Sequence, residues 1–124
     1  MSAAGGVGLM LVQWLKAIGA YVIGTVSTEE KATLAAQAGA DHIILYGKEE
    51  VAPKVRELTG GKGVRVSFDG VGKDTWAASL DSVARRGLIV SYGNASGPVT
   101  GVALGQLAAK GSLFVTRPGL YDYY

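Results

Sequence analysis

Apolar positions change their period several times along the chain. Residues 6–18 place Leu, Met, Val, Trp and Ile on nearly every side of a helical wheel, interrupted by the polar Gln13 and Lys16, with Gly19 where a helix would stop. A helix apolar on most faces is expected to lie between a sheet and another layer. Residues 21–26, YVIGTV, are a continuous β-type run, as in a strand covered on both faces. Ser27-Thr28-Glu29-Glu30 reads as a capping box, with Ser27 as N-cap and Glu30 at N3, for a helix that runs to Ala38 and ends at Gly39.

Residues 42–46, HIILY, form a second strand-like run. Residues 49–59 predict a helix with Val51, Val55 and Leu58 on one face, and Pro53 is tolerable in its first turn. Gly60-Gly61-Lys62-Gly63 is a turn ahead of a third strand over 64–68. A helix over 73–83 aligns Trp76, Leu80 and Val83. Arg85-Arg86-Gly87 then turns into a fourth strand over 88–92, and the Gly/Asn/Ser/Pro stretch 93–98 is a loop. A short helix at 104–109 and a fifth strand at 112–116 follow. Alternating strands and helices with short loops specify an α/β fold with a parallel sheet, and right-handed crossovers make it doubly wound. No repeat or linker divides the chain, so residues 1–124 read as one domain. Ligands of such sheets meet the C-terminal ends of the strands.

Composition narrows the function classes. The 124 residues are 48% hydrophobic and 18% charged, with a net charge of +2. The basic residues are scattered, which gives no footprint for nucleic acid or a membrane surface. With no cysteine, disulfides and thiolate metal sites are excluded within the chain. The longest apolar run, 7–18, is too short to span a bilayer, and the first residues lack the basic region of a signal peptide. A cytoplasmic domain is the expectation.

Four stretches carry candidate chemistry. Ala3-Ala4-Gly5-Gly6-Val7-Gly8 fits G-x-G-x-x-G with Ala in the first place. Gly5 would let backbone approach a pyrophosphate, Gly6 and Val7 would open the helix whose first N–H groups face phosphates, and Gly8 would allow close helix–sheet packing. The same residues also suit an ordinary glycine-rich turn before a buried helix, since no strand-forming residues precede them. An NAD-binding domain usually ends its next strand with Asp or Glu for the ribose 2′-OH. Here that strand ends Gly24-Thr25-Val26-Ser27, without a carboxylate, and Glu29 and Glu30 read as helix-terminus charges. Ser27, with Lys31 one turn on, suits a 2′-phosphate and hence NADPH, while Lys31 alone also reads as a solvated side chain. Phe68-Asp69-Gly70-Val71-Gly72 ends a strand with glycines that permit backbone approach, and Asp69 itself reads as a turn residue bonding local backbone. Ser91-Tyr92-Gly93-Asn94-Ala95-Ser96-Gly97 leaves another strand at the same edge; it is either a flexible loop or a nicotinamide–ribose contact through Tyr92 and Asn94. His42 is the only histidine and has no evident pair, so no metal ligand and no catalytic residue is assigned.

The segments AAGGVGLMLVQWLKAIGAYVIGTVSTEEK, FDGVGKDTW, RRGLIVSYGNASG and KGSLFVTRP together closely resemble the NADPH-dependent quinone oxidoreductases. These form the zinc-independent, zeta-crystallin-like branch of the medium-chain dehydrogenase/reductase superfamily. The resemblance spans essentially the whole chain. It implies a Rossmann-type cofactor domain from a chain of more than about 300 residues, typical of a two-domain protein, whose substrate domain comes from outside this segment. By resemblance, Ala4, Gly5, Gly6 and Val7 form the pyrophosphate loop. Ser27, Lys31 and Tyr46 form the pocket for the 2′-phosphate and adenosine ribose, and Val71, Tyr92, Gly93 and Asn94 the nicotinamide side. Ser27 departs from the pattern, since many relatives have Gly there. The implied reaction is hydride transfer from NADPH to a quinone or other electrophilic alkene.

The resemblance further implies that the family's first strand would lie before Met1. It is central in the order 3-2-1-4-5-6, so its neighbours would be left with open edges, to be filled by a borrowed segment or by closing up the sheet. The segment alone is therefore not expected to turn over. The edge strand 112–116 is expected to pair across a two-fold as a homodimer. Alternatives are an enoyl-reductase-type member of the same superfamily, or a non-catalytic crystallin-like or RNA-binding role.

Overall fold

A computed structural model describes residues 5–123, and it is an α/β structure with parallel sheets. The elements are α1 (Gly6–Ala17), β1 (Ile23–Val26), α2 (Glu29–Ala38), β2 (His42–Leu45), α3 (Val51–Leu58), β3 (Val64–Asp69), α4 (Trp76–Ser82), β4 (Val83–Ser91), α5 (Leu104–Ala109) and β5 (Phe114–Thr116). Strands β1 and β2 form one parallel sheet; β3, β4 and β5 form another in that order. Within each sheet the pairings are those the order 3-2-1-4-5-6 would give. The chain divides into two compact units, with the boundary between Lys54 and Val55. Among the described residues no helix is long and apolar enough to cross a membrane.

In the first unit, Val12 of α1, Val22, Val26 of β1 and Ala35 of α2 form the buried core. Leu15, Ala32 and Ile43 pack around it. A polar knot fixes the end of α1. The Lys16 ammonium lies 2.9 and 3.0 Å from the two Asp41 oxygens, and Asp41 also accepts the Val22 N–H at 2.8 Å. These bonds, Lys16's first, hold the Asp41 carboxyl below its ordinary range. Gly39, at φ +111°, ends α2 in the left-handed conformation, and a Cβ there would stand 3.1 Å from Lys16 Cγ. The expectation for α1 is corrected on one face. Val12 and Gly8 are buried, but Val7, Met10, Trp14 and Ile18 are all more than half exposed. Their spacing of three and four puts them along one stripe of the helix.

The cap of α2 is also corrected, by one residue. Thr28, extended at φ −138° and ψ 159°, is the N-cap, and its hydroxyl accepts the Lys31 N–H at 3.2 Å. Glu30 therefore does not hold the N3 position, and it stands with Glu29 in the first turn, where both offset the helix dipole. Ser27 is released from capping.

In the second unit, Leu80 of α4, Val83 and Ile89 of β4, and Leu113 are the buried core, with Val64, Trp76 and Leu107 against them. Arg56 of α3 ties the unit through its guanidinium, which donates to the carbonyls of Asp81, Gly61 and Val83 at 3.0–3.1 Å. Strand β4 begins five residues before expectation. Val64 pairs with Val83, then Val66 with Leu88, so β4 advances five residues while β3 advances two. Arg85-Arg86-Gly87 is thus a bulge inside the strand, with Arg86 at φ +59° and its N–H on the Gly111 carbonyl at 2.8 Å. Gly87 fits because a Cβ there would lie 2.8 Å from Ala84 O and 3.0 Å from Arg65 O. Helix α4 starts at Trp76, three residues later than expected, because residues 71–75 are drawn into a turn around Asp69.

The reassigned cap is testable by thermal or urea unfolding. Thr28→Ala should destabilise the fold by about 1 kcal/mol, whereas Ser27→Ala should change it by only a few tenths.

Candidate functional site

In each unit the parallel strands bring loop residues to a carboxyl edge. In the first unit, Gly5 is the N-cap of α1, extended at φ −75° and ψ 166°, with no side-chain cap. The first turn of α1 holds no acid, and among the described residues no side chain caps its N–H groups. Among the described residues, chain neighbours and the helix's own backbone aside, nothing stands within 4 Å of a Cβ built on Gly5 or Gly6. Val7 is exposed there as well. Ala4 lies outside the described residues.

Ser27 directly follows β1, and Tyr46 directly follows β2. The Tyr46 N–H donates to Val26 O at 3.0 Å, which holds the two strand ends together. The Lys31 ammonium donates to Ser27 Oγ at 3.3 Å, and both side chains are exposed. Glu29 turns to Lys48 at 3.5 Å. The end of β1 therefore presents a hydroxyl and an ammonium side by side, a donor pair suited to an anion.

In the second unit, the ends of β3 and β4 form one bonded assembly. Asp69, 5% exposed, closes β3. Its Oδ1 accepts the N–H groups of Val71 at 2.9 Å and Gly72 at 3.0 Å. The Thr75 hydroxyl is 2.8 Å from both Asp69 oxygens, and the Ser79 hydroxyl donates to Oδ2 at 2.7 Å. Burial pushes the Asp69 carboxyl upward, but the bonds from Gly72, Ser79, Thr75 and Val71 together outweigh it and hold the group below its ordinary range.

The β4 loop is sewn onto this turn. Tyr92 N–H donates to Asp69 O at 2.9 Å, and Ser96 N–H and Oγ–H both donate to Val71 O at 2.8 Å. Ser96 Oγ in turn accepts the Asp74 N–H at 3.0 Å, and the Asn94 carbonyl accepts the Gly97 N–H at 2.9 Å. The Tyr92 ring lies on Gly70, where a Cβ would be 2.7 Å from its Cε2 and Cζ atoms. A Cβ on Gly93 would be 2.7 Å from Gly70 O. Burial, and then the Asp69 charge, push the Tyr92 hydroxyl pKa up. Val71, Tyr92, Gly93 and Asn94 are thus brought together, as expected, and Asn94 is the most open of them. Thr75, Ser79 and Ser96 were not expected to take part. Their signal is hydroxyls six and ten residues after Asp69, and one in the next strand's loop.

The chain matches the family model described as zinc-binding dehydrogenase over residues 6–120. The chain belongs to that family. It is 61% identical over 122 residues to a quinone oxidoreductase of Salmonella typhimurium, a match that covers 98% of this chain and 37% of the relative. A 2-haloacrylate reductase from Burkholderia is 50% identical, over 98% of this chain and 37% of its own length. The crystal structure of Escherichia coli quinone oxidoreductase complexed with NADPH superimposes with a TM-score of 0.94 at 58% identity, over 98% of this chain and 37% of that one. The chain thus spans little more than a third of the relatives it matches. Among the described residues no three His, Cys, Asp or Glu side chains gather as a metal site.

Acid should weaken the second unit through Asp69. Its pKa is lowered from 3.8, so its stabilisation is full above that value and is lost as pH falls through the folded-state pKa. Urea midpoints at pH 7 and pH 3 should fall further apart for the native chain than for Asp69→Asn; equal falls would contradict this account.

Proposed function

We propose that this chain is the NADP-binding part of an oxidoreductase that transfers hydride from NADPH to a quinone. The observation that carries the reading is the Ser27–Lys31 pair at the end of β1, where an NAD-binding domain would carry an acid. The N-terminus of α1, uncapped and uncrowded at Gly5 and Gly6 among the described residues, supports a pyrophosphate there. When bound, NADPH supplies the hydride from its nicotinamide ring, and the protein supplies position and electrostatics. Ala4, Gly5, Gly6 and Val7 hold the pyrophosphate in this reading. Ser27, Lys31 and Tyr46 hold the 2′-phosphorylated ribose. Val71, Tyr92, Gly93 and Asn94 meet the nicotinamide half. Residues 1–124 act as one cofactor domain in the cytoplasm, and the quinone meets residues outside this segment, so the segment alone does not turn over.

A second reading keeps the cofactor and changes the acceptor to an activated alkene. The 50% identity to a 2-haloacrylate reductase favours it, and nothing in the cofactor loop separates the two. Titration calorimetry tests what they share. NADPH should bind more tightly than NADH, and Lys31→Ala should weaken NADPH roughly tenfold to hundredfold, as for a charge-assisted bond of about 1.5–3 kcal/mol. NADH should be affected less than about twofold, well under 1 kcal/mol. A native preference for NADH would sink the assignment of Ser27 and Lys31.

The same reading extends to a homodimer. Strand β5 is the last of its sheet, all three of its residues are exposed, and Phe114 is 61% exposed. Such an edge invites pairing with a second copy. Phe114→Asp should shift sedimentation from dimer to monomer; an unchanged species would refute the β5 interface.

A further inference from the structure

Asp69 spends both carboxylate oxygens on its own loop. Two backbone N–H groups and two hydroxyls meet it, all of them neutral donors. A buried carboxylate is costly, so a turn that needed only a cap would be served by an exposed Asn or Ser. The return on burial is a fixed backbone. The Val71 N–H is committed to Asp69, and the Val71 carbonyl accepts twice from Ser96. The main chain at Val71 is therefore closed to any ligand, and what it offers is its half-buried side chain. Beside it the Tyr92 ring is pinned on the Gly70 backbone, with Gly70 O and Gly93 in close approach. The half-buried Val71 side chain and Tyr92 ring thus stand on a main chain held by hydrogen bonds on both loops. Such a surface suits a planar, largely apolar ring better than a phosphate or a cation.

We propose that Asp69 is a positioning residue for the nicotinamide end of the cofactor, acting through the backbone of residues 70–72 and the 92–97 loop clasped to it. The proposal rests on the NADPH reading above. Asp69 touches no ligand in this scheme. It holds Val71 and Tyr92 in one arrangement before binding, so that the ordering cost is met on folding rather than on association. Ser96 closes the clasp from the other side, with Asp74 N–H donating to its oxygen and its own proton on Val71 O.

Two ligands separate this role from general stability. NADPH carries the nicotinamide, whereas 2′,5′-ADP carries only the adenosine and 2′-phosphate end. Each is titrated into the native chain, Asp69→Asn and Ser96→Ala, with calorimetry for both and reduced-nicotinamide fluorescence for NADPH. Asp69→Asn keeps the shape and an acceptor for the two N–H groups but loses the charge; Ser96→Ala removes the hydroxyl's two bonds, keeps the main-chain bonds between the loops and leaves the buried carboxylate satisfied. We expect each variant to weaken NADPH at least fivefold, to leave 2′,5′-ADP within twofold, and to reduce the fluorescence enhancement of bound NADPH. The double variant should lose less than the product of the two, since both act on Val71. If Asp69→Asn does not fold, Ser96→Ala decides alone. Equal losses for both ligands, or no loss for NADPH, overturn the positioning role while the cofactor reading stands. A native chain that binds neither ligand overturns the cofactor reading, and the role of Asp69 falls with it.

Discussion

A carboxylate removed from water has to find donors, and the second unit is organised by where Asp69 finds them. Burial alone would raise its pKa; four short-range donors reverse the sign. Those donors lie two, three, six and ten residues downstream, so satisfying one side chain shapes everything from the end of β3 into the first turns of α4. The delayed start of α4 follows directly. Residues 73–75 have helix-compatible composition, but Thr75 is more useful as a donor to Asp69 and as the residue before Trp76. Through Tyr92 and Ser96 the same turn fixes the loop after β4. One buried charge therefore sets two strand-end loops.

The first unit solves its edge differently. Its ordered carboxylate, Asp41, sits at the opposite end of the strands, where Lys16 and the Val22 N–H hold it. At the carboxyl edge the groups are exposed and lightly tied, a hydroxyl and an ammonium 3.3 Å apart and a helix start with no cap. Under the proposed function the contrast has a physical reason. A phosphate brings its own charge and acceptors, so a site for it needs donors left open to water, and prior hydrogen bonds would compete. A ring brings few polar atoms, so a site for it needs shape, and shape needs every backbone group already satisfied.

Much of this was legible in the sequence. Strand–helix alternation and the residue pattern led to parallel α/β structure, and within each sheet the pairings are those the family resemblance implied. The absence of an acid after Val26 was legible because absence is a matter of composition at one position. Besides the turn around Asp69 and the late start of α4, three things were hidden. The cap of α2 fell on Thr28 although only Ser27 has a Glu three residues on, because backbone angles rather than the capping-box motif decide between neighbouring hydroxyls. The start of β4 was hidden because Arg-Arg-Gly reads as a turn, whereas a bulge absorbs it with Arg86 left-handed and bonded to Gly111, a partner 25 residues away in sequence. The exposed stripe of α1 was hidden because an all-round apolar helix shows how much surface wants cover and not which part receives it.

The glycines make the same point about reading chemistry from letters. Among the described residues nothing crowds a Cβ on Gly5 or Gly6, so a side chain there would fit the protein. Gly70 and Gly93 stand against Tyr92 and against one another's backbone, where a side chain would not fit the protein at all. In sequence the two sets look alike, glycines just beyond a strand or before a helix. Their physical meanings are opposite, since one keeps a surface clear and the other lets two loops close. Gly72 adds a third, because its φ of +94° is a conformation the Asp69 turn requires, whatever the space. A glycine-rich loop therefore carries a functional argument only when its surroundings are known. Here they assign openness to the edge that bears Ser27 and Lys31, and rigidity to the edge that bears Asp69.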